Sequence, residues 1–137
     1  MKARSIAYWV TTVLFALAMA GSAFADLVHA PPIVEGFGLL GYPLYLTTLL
    51  GIWKVLGIVA VLAPRFPRLK EWAYAGFVFE LSGAAYSHVA AGVGSPAAPI
   101  ALLALGLISW ALRPESRVFG TLLPARAPSS SLTPAAT

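Results

Sequence analysis

Four long apolar runs constrain this chain more than any other feature. They cover residues 6–27, 44–63, 72–93 and 96–112, which is 22, 20, 22 and 17 residues. A helix needs about 20 apolar residues to cross a hydrocarbon core of about 30 Å. The first three runs meet that length. The fourth is shorter but within range, and Pro96 and Pro99 stand near its start, where a helix tolerates proline. None of the runs alternates polar and apolar residues as the strands of a membrane barrel do. Composition agrees, with 59% of residues hydrophobic and 10% charged, where a soluble domain carries about 25% charged residues. The expected fold is an all-α membrane protein, a four-transmembrane-helix bundle over residues 1–112. A polar tail over 113–137 is Pro/Ser/Thr/Ala-rich at its end and is expected to be disordered and cytosolic.

The connections carry turn chemistry. Pro64-Arg65-Phe66-Pro67-Arg68 ends the second run, and Gly92-Val93-Gly94-Ser95-Pro96 separates the third from the fourth. The stretch 28–43 is longer, opens with His29-Ala30-Pro31-Pro32 and closes with Gly41-Tyr42-Pro43. These start and stop signals predict a short interfacial helix between the first and second spans. The first run has a rival reading as a signal peptide: Lys2 and Arg4 make a basic start, and Ala23-Phe24-Ala25 is a small-residue cleavage pattern. Its apolar stretch is long for that role, and Thr11, Thr12 and Ser22 fall on roughly one face. Retention as a span is the expectation.

Orientation follows from charge. Lys2 and Arg4 precede the first run, Arg65, Arg68 and Lys70 lie between the second and third, and Arg113, Arg117 and Arg126 follow the fourth; with Lys54 these are all nine basic residues. The two opposite connections contain none. The positive-inside rule then places both termini in the cytosol of a multi-pass protein in the cytoplasmic (inner) membrane. Trp9, Trp72, Tyr74 and Trp110 fall near the cytosolic helix ends and Tyr42 and Tyr45 near the outer end, as an aromatic belt does. This asymmetry accounts for the pI of about 9.8, so no nucleic-acid partner is expected. The chain has no cysteine, which removes thiolate catalysis, iron–sulfur ligation and cysteine zinc sites.

The ionisable residues inside the runs are the candidate site, because each is costly to bury alone. Lys54 lies nine residues before Ala63, and Glu80 seven after Ala73. At the rise of a helix these are depths of about 13 and 11 Å from the cytosolic side. Adjacent antiparallel helices would bring the two side chains together, helped by small residues such as Gly51, Gly57, Gly76 and Gly83. The pair is either a structural ion pair or a group that binds a polar head or relays a proton. His88 follows Glu80 on the same face, about 12 Å further out. Asp26, His29 and Glu35 are expected to form a polar cluster at the outer face. No ligand-spacing motif for a metal is present, and no metal and no catalytic residue is expected.

Several segments together resemble the DoxX-like family of small bacterial membrane proteins. They are Pro31-Pro32, Gly41-Tyr42-Pro43, Gly51-Ile52-Trp53-Lys54-Val55-Leu56-Gly57, the run from Ala63-Pro64-Arg65 through Ala75-Gly76-Phe77, and Gly83-Ala84-Ala85-Tyr86-Ser87-His88. The similarity covers roughly residues 7–112 and implies a four-helix membrane bundle. The family is functionally heterogeneous; its founding members are associated with a thiosulfate:quinone oxidoreductase, and this sequence carries no residue motif for that chemistry.

Two functions follow as expectations. One is an accessory subunit that binds a small lipophile, a quinone or a lipid, beside Lys54 and Glu80. A redox partner protein would then carry the electrons, since the chain shows no intrinsic cofactor motif. The alternative is a non-enzymatic membrane scaffold or assembly factor whose buried charges are purely structural. Beyond the lipid bilayer, a homo-oligomer is the other partner considered.

Overall fold

A computed structural model describes residues 2–114; of the tail expected to be disordered, all but Arg113 and Pro114 lies outside the described residues, and Arg113 is buried against Glu71. Five helices and no strand make up the described chain: α1 (Lys2–Leu27), α2 (Pro31–Leu39), α3 (Tyr45–Leu62), α4 (Pro67–Ala91) and α5 (Ala97–Ala111). Proline opens α2 and α4 at the first helical turn, where its missing N–H costs nothing. Gly92, at φ 64°, stops α4 in the left-handed conformation that a glycine adopts without penalty. Helix α1 ends differently. His29 takes φ 51°, and the Ala30 N–H reaches back to the Ala25 carbonyl at 2.9 Å, turning the chain sharply into α2.

Four of the helices pack side by side in cyclic order. α1 lies against α3 and α5, and α4 lies against the same two from the opposite side, while α2 rests on α3. The centre is filled by Phe15, Met19, Val61, Tyr74, Phe77 and Leu81. Phe15 and Phe77 meet edge to face across it, with ring centroids 5.1 Å apart, a favoured aromatic geometry.

Glycine sets three of the four seams. A methyl group at Gly51 would lie 2.8 Å from Leu27 Cγ and 3.2 Å from the Ala23 carbonyl oxygen, one at Gly57 would lie 2.6 Å from Phe77 Cζ, and one at Gly106 would lie 3.0 Å from Phe15 Cε2. A hydrogen in place of a methyl therefore lets α3 approach α1 and α4, and α5 approach α1. The fourth seam, α4 against α5, is apolar along Phe77, Leu81 and Leu103 and polar at its basic end. Ser109 sits at a hydroxyl junction, 2.7 Å from Thr12 and 2.8 Å from Tyr74. Arg113 pairs with Glu71, which also accepts the Trp110 indole N–H at 3.0 Å.

The exterior is apolar and much of the polar chemistry is internal. Thr12, Asp26, Lys54, Lys70, Ser109 and Arg113 are buried, whereas Phe24, Leu56, Phe79, Val89 and Ile108 are exposed. Helices α1 and α3 are long and apolar enough to cross a membrane by length and composition. α5 is apolar but shorter, and α4 is long but carries Lys70, Glu71, Glu80 and His88.

Candidate functional site

The charged residues of the apolar runs converge from three helices. Lys54 Nζ lies 2.6 Å from Asp26 Oδ2 on α1 and 3.1 Å from Glu80 Oε1 on α4. It also donates to Ser22 Oγ at 2.8 Å. Ser22 and Asp26 are four residues apart and so share one face of α1. Lys54 points at them because side chains on a helix tilt toward its N-terminus, and the N-terminal half of α3 lies beside the end of α1. Gly51, one turn earlier on α3, permits that approach. The ammonium thus meets three oxygens, one for each of its three N–H groups.

Asp26 and Lys54 are nearly enclosed, with side-chain exposures of 3% and 9%; Glu80 is more open at 17%. All three border a cavity of about 360 Å³, roofed by Ile33, Phe37 and Leu40 of the α2 segment. Its outer wall is tied by a 2.7 Å hydrogen bond between the Tyr42 and Ser87 hydroxyls. His88 lines the same cavity, with Nδ1 2.7 Å from the Val93 carbonyl oxygen at the end of α4.

The structure therefore brings Lys54 and Glu80 together, and adds a residue placed elsewhere by sequence reasoning. Asp26, His29 and Glu35 do not share an outer-face cluster. Asp26 turns inward to Lys54, His29 Nε2 meets Thr48 Oγ1 at 2.8 Å, and Glu35 is exposed on α2. The reason is that α1 stops level with Gly51, well inside the length of α3, so its last turn faces the middle of its neighbour. The signals present in the sequence were the Ser22/Asp26 spacing and the glycine one turn before Lys54. Among the described residues, no group of His, Cys, Asp and Glu is arranged to hold a metal ion.

Comparison with known families adds identity to this geometry. A profile of the DoxX-like family matches residues 10–112, a stretch that holds Ser22, Asp26, Lys54, Glu80 and His88. The chain belongs to the DoxX-like family. No curated protein and no solved structure matches it. Together with the two helices of membrane-crossing length, the family makes this DoxX-like chain a membrane protein. Its three-helix charge cluster and α2-roofed cavity are the features that chemistry can act through.

Proposed function

We propose that this DoxX-like protein spans the cytoplasmic membrane four times, with both termini cytosolic, and holds a small amphiphilic molecule in the cavity above Asp26, Lys54 and Glu80. The observation that carries the reading is the position of the cluster. An ammonium and two carboxylates sit at the floor of a cavity of about 360 Å³ whose upper wall is apolar. Ligand sites have this form, an apolar enclosure with a few convergent polar groups, and ionisable groups within membrane segments are functional candidates by default.

The four-span arrangement is supported by the outward faces of all four long helices. α4 presents Phe79, Tyr86 and Val89, exposed by 67–76%, and α5 presents Ile100, Leu107 and Ile108, exposed by 44–51%. The basic residues Arg4, Arg65, Arg68 and Arg113 gather at one end of the helices, while the connections at the other end have no Lys or Arg, which favours that basic end as the cytosolic one. A redox step, in this reading, belongs to a partner protein.

A scaffold role is the second reading. It is favoured by the fact that α1, α3 and α4 each contribute one charge to the cluster, an arrangement that would lock three helices in register. Extraction in mild detergent followed by mass spectrometry of bound small molecules decides between the two. A molecule retained at one per chain supports the binding reading, and a stable protein free of any such molecule supports the scaffold.

A further inference from the structure

A second space adjoins the cavity. On the outer surface of the α3–α4 seam lies an apolar groove of about 600 Å³, bordered by Trp53, Leu56, Leu69, Trp72 and Gly76. Leu50, Phe79 and Glu80 line both the groove and the roofed cavity. Glu80 therefore borders both spaces, beside the charge cluster on one side and the apolar groove on the other. Along α4 the groove runs from Glu80 to Leu69, about 16 Å at the rise of a helix, which suits one extended alkyl chain.

The hydrogen-bond inventory of the polar end selects a head group. The three N–H groups of Lys54 face Ser22, Asp26 and Glu80, so the lysine has no donor to spare. What the cluster still offers is acceptor capacity on its two carboxylates. With both carboxylates ionised, one ammonium stands against two negative charges. An incoming anion would meet an excess negative charge in a low-dielectric site, while a cation with N–H donors would complete both the charge balance and the hydrogen bonding.

We propose, building on the binding reading above, that the occupant is a single-chain amphiphile with a cationic, hydrogen-bond-donating head, its amine at Glu80 and its alkyl tail in the α3–α4 groove. Glu80, the most open of the three, borders both spaces. Gly76 leaves the groove free, because a methyl group there would touch nothing within 4 Å.

Native mass spectrometry of the intact protein in a non-ionic detergent tests this, with dodecylamine, dodecanol and dodecanoate offered in equimolar competition. Dodecylamine should be retained at one per chain and exceed dodecanoate by at least about tenfold, the weight of one hydrogen bond to a charged group. Glu80→Gln should abolish that preference. Gly76→Leu should lower retention of dodecylamine while keeping the helix content and a melting temperature no lower than that of the wild type. Dodecanoate retained as well as the amine, or dodecanol retained equally, would overturn the cationic head group while leaving the binding reading standing. Failure of the wild-type protein to retain any of the three would overturn the binding reading with it.

Discussion

The Lys54 ammonium lies 2.6 Å from Oδ2 of Asp26, the penultimate residue of α1. It is closer to this partner than to Glu80, at 3.1 Å. The two carboxylates therefore differ in weight. Asp26–Lys54 is the enclosed pair, and Glu80 is the more open third member.

This ranking predicts the outcome of single substitutions. Lys54→Met strands two carboxylates and should cost about 3–5 kcal/mol of stability, as does breaking any buried ion pair from one side. Glu80→Leu leaves Lys54 paired with Asp26 and should cost much less. A double-mutant cycle by thermal denaturation in detergent checks this: the coupling of Lys54 to Asp26 should exceed its coupling to Glu80. Equal couplings would show that the three groups share one geometry rather than a pair and a satellite.

Glycines at the seams should respond according to their surroundings. Gly51→Ala places a methyl 2.8 Å from Leu27 Cγ and 3.2 Å from the Ala23 carbonyl oxygen. Overpacking of this kind costs about 1–3 kcal/mol. Gly76→Ala meets open space and should stabilise α4 by about 0.5–1 kcal/mol through helix propensity. Melting temperatures of the two variants should move in opposite directions.

At the basic end, Ser109 should matter more than either of its partners. Ser109→Ala removes the group that both Thr12 and Tyr74 contact, at 2.7 and 2.8 Å, and costs two buried hydroxyls a hydrogen bond, about 1–3 kcal/mol in total. Tyr74→Phe removes one hydrogen bond and leaves Thr12 and Ser109 joined, at about 1 kcal/mol. Chemical denaturation of both variants should rank them in that order.

Because the chain has no cysteine, single cysteines report topology cleanly. Cysteines at Lys2 and Arg65 should be shielded from a membrane-impermeant reagent added to intact cells, and cysteines at Glu35 and Ser95 should react. Outside labelling at Arg65 would contradict the four-span arrangement.

Much of the fold can be read from the sequence because lipid imposes simple rules. Each long apolar run contains a helix, the Pro31-Pro32 start and Gly41-Tyr42-Pro43 stop bracket α2, and equal depths from one membrane face predict that Lys54 meets Glu80. Asp26 escaped because depth reasoning aligns helix ends in a common plane. Here α1 ends beside the middle of α3, a stagger fixed by the Gly51–Leu27 contact and by the His29 turn. Such a stagger depends on side chains from two helices at once, and no property of either run alone reports it. The cavity was hidden for the same reason, since its roof comes from α2 and its floor from three other helices.

The central claim is that the charges at the cavity floor act on a ligand and do more than hold the helices. The double variant Lys54→Met/Glu80→Leu leaves Asp26 as the one charge of the cluster, and the triple variant that adds Asp26→Leu removes all three. With no charge left unpaired, the triple variant should regain most of the stability lost on Lys54→Met alone. Small-molecule retention by this folded triple variant, measured by mass spectrometry beside the wild type, is the most direct test. One molecule should be retained per wild-type chain and none on the variant. An equal load on both would contradict it and leave Asp26, Lys54 and Glu80 as structural groups alone.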